Sequence, residues 1–114
     1  MQGKKLRGLT LSCALLAAVA SVDITPEARD YIRRMGWDEI SISGLYHTCP
    51  RGRLLAIVQD GGPAEGRGPH DAVRAGDVTV HVPQDKTFEG DIPRIVSIRM
   101  RGESWLGVAN EIRE

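Results

Sequence analysis

An α+β domain, one N-terminal amphipathic helix followed by about five mostly antiparallel strands, is the fold class this 114-residue chain predicts. Three observations predict it. Residues 26–35, PEARDYIRRM, carry Ala28, Tyr31, Ile32 and Met35 at helical spacing. Beyond Gly36 the apolar residues recur with the two-residue period of strands, as in Val78, Val80 and Val82 or Val96, Ile98 and Met100. Glycine is frequent but no internal repeat divides the chain, so a single domain is expected, large enough to bury a core without metals or disulfides.

The helix has a start and a stop. Thr25 can accept a hydrogen bond from a first-turn amide, and Pro26 at the first helical position leaves no amide orphaned. Arg29, Arg33 and Arg34 lie off the apolar stripe, and Gly36 suits a left-handed C-terminal residue. The first strand is expected where Ile40 and Ile42 alternate with Ser41 and Ser43, and the second in the apolar run Leu54–Val58. Residues 61–76, with five glycines and two prolines, predict a long surface loop. Val78–Val82 and Val96–Arg101 predict strands with an apolar inner face and a polar outer one, separated by a turn at Gly90–Pro93. Ser104–Ala109 predicts the last strand, with Leu106 and Val108 on one face and Trp105 on the other.

Charge and cysteine count narrow the partners. Lys4, Lys5 and Arg7 stand in the first 20 residues, which hold none of the 15 acidic residues, so a chain of formal charge zero has a mildly acidic body. Such a body lacks the basic field that nucleic-acid binding needs, and only five aromatic residues could stack on bases, so nucleic acid is not an expected partner. Residues 1–21 form a leader with a basic start, an apolar run from Leu9 to Val19, and Ala18-Val19-Ala20 in small-x-small form. That run is far short of the roughly 20 residues that cross a bilayer, so no membrane span is expected. As a cleaved signal peptide the leader makes the protein secreted or periplasmic, and as a non-structural extension it leaves it cytoplasmic. In both cases the domain runs over residues 22–114.

The stretch DITPEARDYIRRM resembles the entry of HesB/IscA-like proteins, the A-type iron-sulfur carriers. GDVTVHVP at 76–83, FEGD at 88–91, IPRIVSIR at 92–99 and SWLGVAN at 104–110 follow in that family's order, and the whole is nearest its short, selenoprotein-related branch. The resemblance implies a HesB-like β-rich domain and a role connected with iron or an iron-sulfur cluster. It also implies an early cysteine ligand, for which Cys49 in GLYHTCPRG stands. The family's C-terminal Cys-x-Cys pair is absent, so the other two ligands are missing.

The residues beside that resemblance are few. His47-Thr48-Cys49 puts His47 and Cys49 on one face of an extended segment, and a symmetric homodimer would pool two of each as metal ligands. Against this stands a member that has lost its metal, with Cys49 a partly buried thiol and His47 a solvated neighbour. A catalytic role has little support, because Cys49 has only His47 nearby and no orienting acid, so no catalytic residue is assigned. Arg51 and Arg53 are expected to lower the Cys49 thiol pKa. His70 and His81 read as surface residues.

A competing reading comes from GGPAEGRGPHDAVRAGDVTVHV, which resembles the central signature of PDZ domains. It implies an extracytoplasmic peptide-binding module with Ser43-Gly44-Leu45-Tyr46 as its carboxylate loop. A second amphipathic helix between residues 84 and 95 is the feature that reading requires.

Overall fold

A computed structural model of the chain describes residues 21–49 and 52–113. The leader, apart from Ser21, lies outside the described residues, as do Pro50 and Arg51. The elements are β1 (Asp23–Ile24), α1 (Pro26–Met35), β2 (Glu39–Thr48), β3 (Leu54–Asp60), β4 (His70–Ala75), β5 (Val78–Pro83), β6 (Thr87–Phe88), β7 (Arg94–Met100), β8 (Glu103–Val108) and β9 (Glu111–Ile112). Seven strands join in one sheet of order β1-β7-β8-β3-β2-β5-β4, and β6 pairs with β9 apart from it.

The expected α+β class, one helix and then about five mostly antiparallel strands, is therefore corrected. Among the described residues the structure is mainly β, with one short α-helix and a mixed seven-stranded sheet that curls into a nearly closed, barrel-like form. A strand precedes the helix. Two pairings are parallel, β1 with β7 and β2 with β5. The physical reason is range: partner and direction of a strand are set by contacts far away in sequence, and two-residue strands such as β1, β6 and β9 are too short to show a period. β4 lies at the end of the expected loop 61–76. Its only inward apolar residues are Val73 and Ala75, too few to stand out among the flanking glycines.

The helix forms as its sequence dictates. The Thr25 hydroxyl accepts a hydrogen bond from the Ala28 amide, and Gly36 closes the C-terminus at φ 73°. Ala28 and Ile32 are buried and Tyr31 packs on the core, whereas Met35, at the end of the stripe, is 51% exposed. Ile40, Ile42, Ala56, Val58, Val78, Val80, Val82, Ile95, Leu106 and Val108 fill the inner face of the sheet.

β7 departs from its expected orientation. Ile95 is fully buried on the inner side, while Val96, Ile98 and Met100 are only partly covered. In register, Ile95 faces Val108 whereas Val96 faces Gly107 and Ile98 faces Trp105, so the alternating apolar set belongs to the outer face. Residues 84–95 form β6, a 3-10 turn at Glu89–Asp91 and the start of β7. The helix that a PDZ groove requires is not among them. No described helix is long and apolar enough to cross a membrane.

Candidate functional site

His47 and Cys49 stand where β2 ends. The ladder with β3 runs through Tyr46↔Ala56, His47↔Leu55 and Thr48↔Leu54, and the Cys49 amide continues it by donating to the Arg53 carbonyl at 2.6 Å. Tyr46 and Ala56 point to the core, so strand alternation sends His47 and Leu55 to the outer face, with Cys49 following His47. Leu55 and Cys49 are buried, at 7% and 8% exposure, yet neither belongs to the main core cluster. They lie under the outer surface of the sheet.

His47 is exposed but not free to turn. Its ring stacks on the Trp105 indole with centroids 4.4 Å apart and planes at 28°. Its Nδ1 lies 3.0 Å from the Thr48 carbonyl oxygen. A carbonyl can only accept, so Nδ1 carries a proton, and Nε2 is the ring nitrogen left outside that bond. Metal-binding histidines commonly tie their non-ligating nitrogen in this way, and His70, with Nδ1 2.9 Å from the Gly68 carbonyl oxygen, shares the arrangement.

Trp105 reaches His47 because of Gly107. A Cβ on Gly107 would stand 3.0 Å from Trp105 Cζ3 and 3.3 Å from both the Ala56 carbonyl oxygen and Leu55 Cβ. Without it the indole lies across β3, between β8 and β2. Trp105 Nε1 is buried and has no hydrogen-bond partner among the described residues, so packing holds the ring there. Sequence reading placed Trp105 on the outer face but could not join it to His47, 58 residues away, since only the order β8-β3-β2 brings them together.

The Cys49 thiol is pushed above its ordinary pKa, because burial disfavours the thiolate more than the Arg53 guanidinium favours it. The expected lowering is thus corrected for the residues described. Among the described residues no group of three His, Cys, Asp or Glu side chains is placed to hold a metal ion. At this patch the described residues of one chain offer His47 and Cys49.

The other sequence candidates lie elsewhere. His70 Nδ1 donates to its neighbour's backbone at Gly68, 2.9 Å away, and His81 Nε2 lies 2.6 Å from Glu39 Oε2, so both are satisfied locally. Ser43-Gly44-Leu45 forms a bulge, three residues opposite Ile57 alone, between the pairs Ile42↔Val58 and Tyr46↔Ala56. Beyond it lies a cluster with no local signal in the sequence. Tyr46 Oη donates to the Glu111 carboxylate at 2.7–2.8 Å, and Lys86 Nζ lies 2.6 Å from Tyr46 Oη and 3.1 Å from Glu111 Oε2. Burial pulls the Lys86 pKa down, but hydrogen bonds and charge from Tyr46 and Glu111 outweigh it and hold the ammonium above its ordinary value.

Comparison with known proteins adds no relative: no family model, no curated protein and no solved structure matches the chain.

Proposed function

We propose that the protein is a non-catalytic metal-handling module of HesB/IscA-like kinship, working as a homodimer that holds iron or an iron-sulfur cluster with Cys49 and His47 of both copies. The observation that carries this reading is the fixed His47 ring, with Nδ1 committed to the Thr48 carbonyl and Nε2 left as a donor atom two residues from a thiol. Two histidines with two cysteines are an established iron-sulfur donor set. An isologous contact supplies that set from one patch, because each residue near the two-fold axis meets its own copy.

The outer face supports the same contact. Val96, Ile98, Met100 and Trp105 are only partly covered there, beside His47 and Cys49, and a second copy would cover them. The raised thiol pKa means that metal must displace a proton from Cys49, so affinity would rise with pH.

Anaerobic purification followed by sedimentation, metal analysis and visible absorbance tests the reading. A dimer containing iron, whose metal is lost in Cys49→Ser and His47→Ala while the fold is kept, is the expected result. A wild type that is monomeric, colourless and metal-free overturns it.

A further inference from the structure

At the bulge of β2, well away from the Cys49 end of that strand, a cleft of about 270 Å³ opens between Ser43–Leu45, the Gly-rich loop and the segment after β5. At roughly 30 Å³ per water, this is room for a body of about nine water volumes. We propose that the cleft binds a small carboxylate with a short apolar body.

The cation that would receive the carboxylate is Arg67. Its guanidinium lies against the bulge, where a Cβ on Gly44 would stand 3.0 Å from Nη1 and 3.7 Å from Cζ. Glycine at this position lets the planar group rest on the strand backbone. Arg67 makes no salt bridge among the described residues, a state it shares with Arg34, Arg53, Arg74, Arg99, Arg101 and Arg113, but of these it alone lines the cleft. A guanidinium presents a fork of donors that matches a carboxylate with two parallel hydrogen bonds.

The remaining walls specify the rest of the ligand. Leu45, Pro63 and Ala64 give exposed apolar surface, which suits a short aliphatic body, with Ser43, Gln59 and His70 beside them. Lys86 also borders the cleft, but Glu111 already neutralises it at 3.1 Å, and His70 in the same lining is tied by Nδ1 to the Gly68 carbonyl, so Arg67 is the arginine or lysine of the lining without an ion pair. Asp85 is the opposing group. It lines the same cleft, and its carboxylate competes with an incoming one for the local positive field. Few contacts and an exposed arginine give a weak site, with Kd on the order of 1 mM for a ligand of this size.

The test uses the full chain and isobutyrate as probe, with isobutyramide as its uncharged isostere and inorganic phosphate as an anion without an apolar body. Amide chemical shifts of Gly44 and Arg67, followed by NMR titration, report occupancy. Isobutyrate is expected to bind at least about tenfold more tightly than isobutyramide, the factor that one charge-assisted contact supplies. Arg67→Gln should remove that preference, Gly44→Ala should weaken binding by displacing the guanidinium, and Asp85→Asn should strengthen it. Arg67 and Asp85 are exposed, so their variants report on the site rather than on folding. Equal binding of isobutyrate and isobutyramide, an unaltered preference in Arg67→Gln, or tighter binding of phosphate than of isobutyrate would each overturn the proposal. Loss of Cys49 leaves this site in place, so its failure and the failure of the metal reading are separable.

Discussion

The two faces of the strands β7, β8, β3 and β2 are made from the same stretches of chain and have opposite chemistry. Inward, Ile95, Leu106, Val108, Ala56, Val58 and Ile42 are buried to within a few per cent of completeness and touch one another. Outward, Val96, Ile98, Met100 and Trp105 are half-covered, and they stand beside a fixed histidine and a thiol. An inner face of aliphatic residues is what any folded sheet requires. An outer face that is also apolar is unnecessary for the monomer, and that difference is what the proposed dimer would use.

Substitution on each face should separate these roles. Ile95→Ala is expected to destabilise the domain by about 2–5 kcal/mol, because it leaves a cavity in a filled core. Ile98→Ala, three residues along on the other face, should cost about 1 kcal/mol or less, with the loss appearing instead in the proposed dimer. Chemical denaturation and sedimentation of the two variants measure both effects. Equal destabilisation with no change in assembly would erase the distinction.

A polar cluster, Tyr46–Lys86–Glu111, adjoins the core, with its Lys86 and Glu111 side chains 12% and 10% exposed. Glu111→Ala leaves a covered ammonium without its anion and should destabilise by about 3 kcal/mol. A variant as stable as wild type in urea would show that the cluster contributes little to the fold.

On the outer face Gly107→Ala forces a methyl between the Trp105 indole, Leu55 and the Ala56 carbonyl. A cost of about 1–3 kcal/mol is expected from overpacking. The more telling sign is that the Trp105–His47 stack separates, seen as a change in Trp fluorescence and in the His47 ring shifts. Unaltered spectra would remove the support claimed for His47.

The smallest expected effect is that of pH on the lysine cluster. Lys86 is held above its ordinary pKa of 10.5, so its folded form binds a proton more tightly than its unfolded form. Its stabilising contribution is complete below that ordinary value and is lost as pH rises through the raised one. Melting temperature against pH should fall more steeply in this alkaline range for wild type than for Glu111→Gln, and parallel curves would contradict the assignment.

Local features were legible in the sequence, because local interactions make them. Thr25, Pro26 and Gly36 delimit α1 through hydrogen bonds and dihedral preferences within a few residues. The strands around Ile40, Leu54, Val78, Val96 and Trp105 were visible through their two-residue period. The same period misled at β7, where Val96, Ile98 and Met100 form the better apolar set and yet face outward. Alternation reports that two faces exist, and only the neighbours of the strand decide which is inside.

What the sequence by itself determined is the helix, most of the strands, the closeness of His47 to Cys49 and the mildly acidic charge of the body. The tertiary structure alone decided the parallel pairings, the strand hidden in the Gly-rich loop, the Trp105 support under His47, the Tyr46–Lys86–Glu111 cluster and the cleft at the bulge. The reason is one of range. Caps and periodicities arise between residues a few positions apart, whereas these other features bring together residues such as Trp105 and His47 or Tyr46 and Glu111, whose meeting depends on strand order and register.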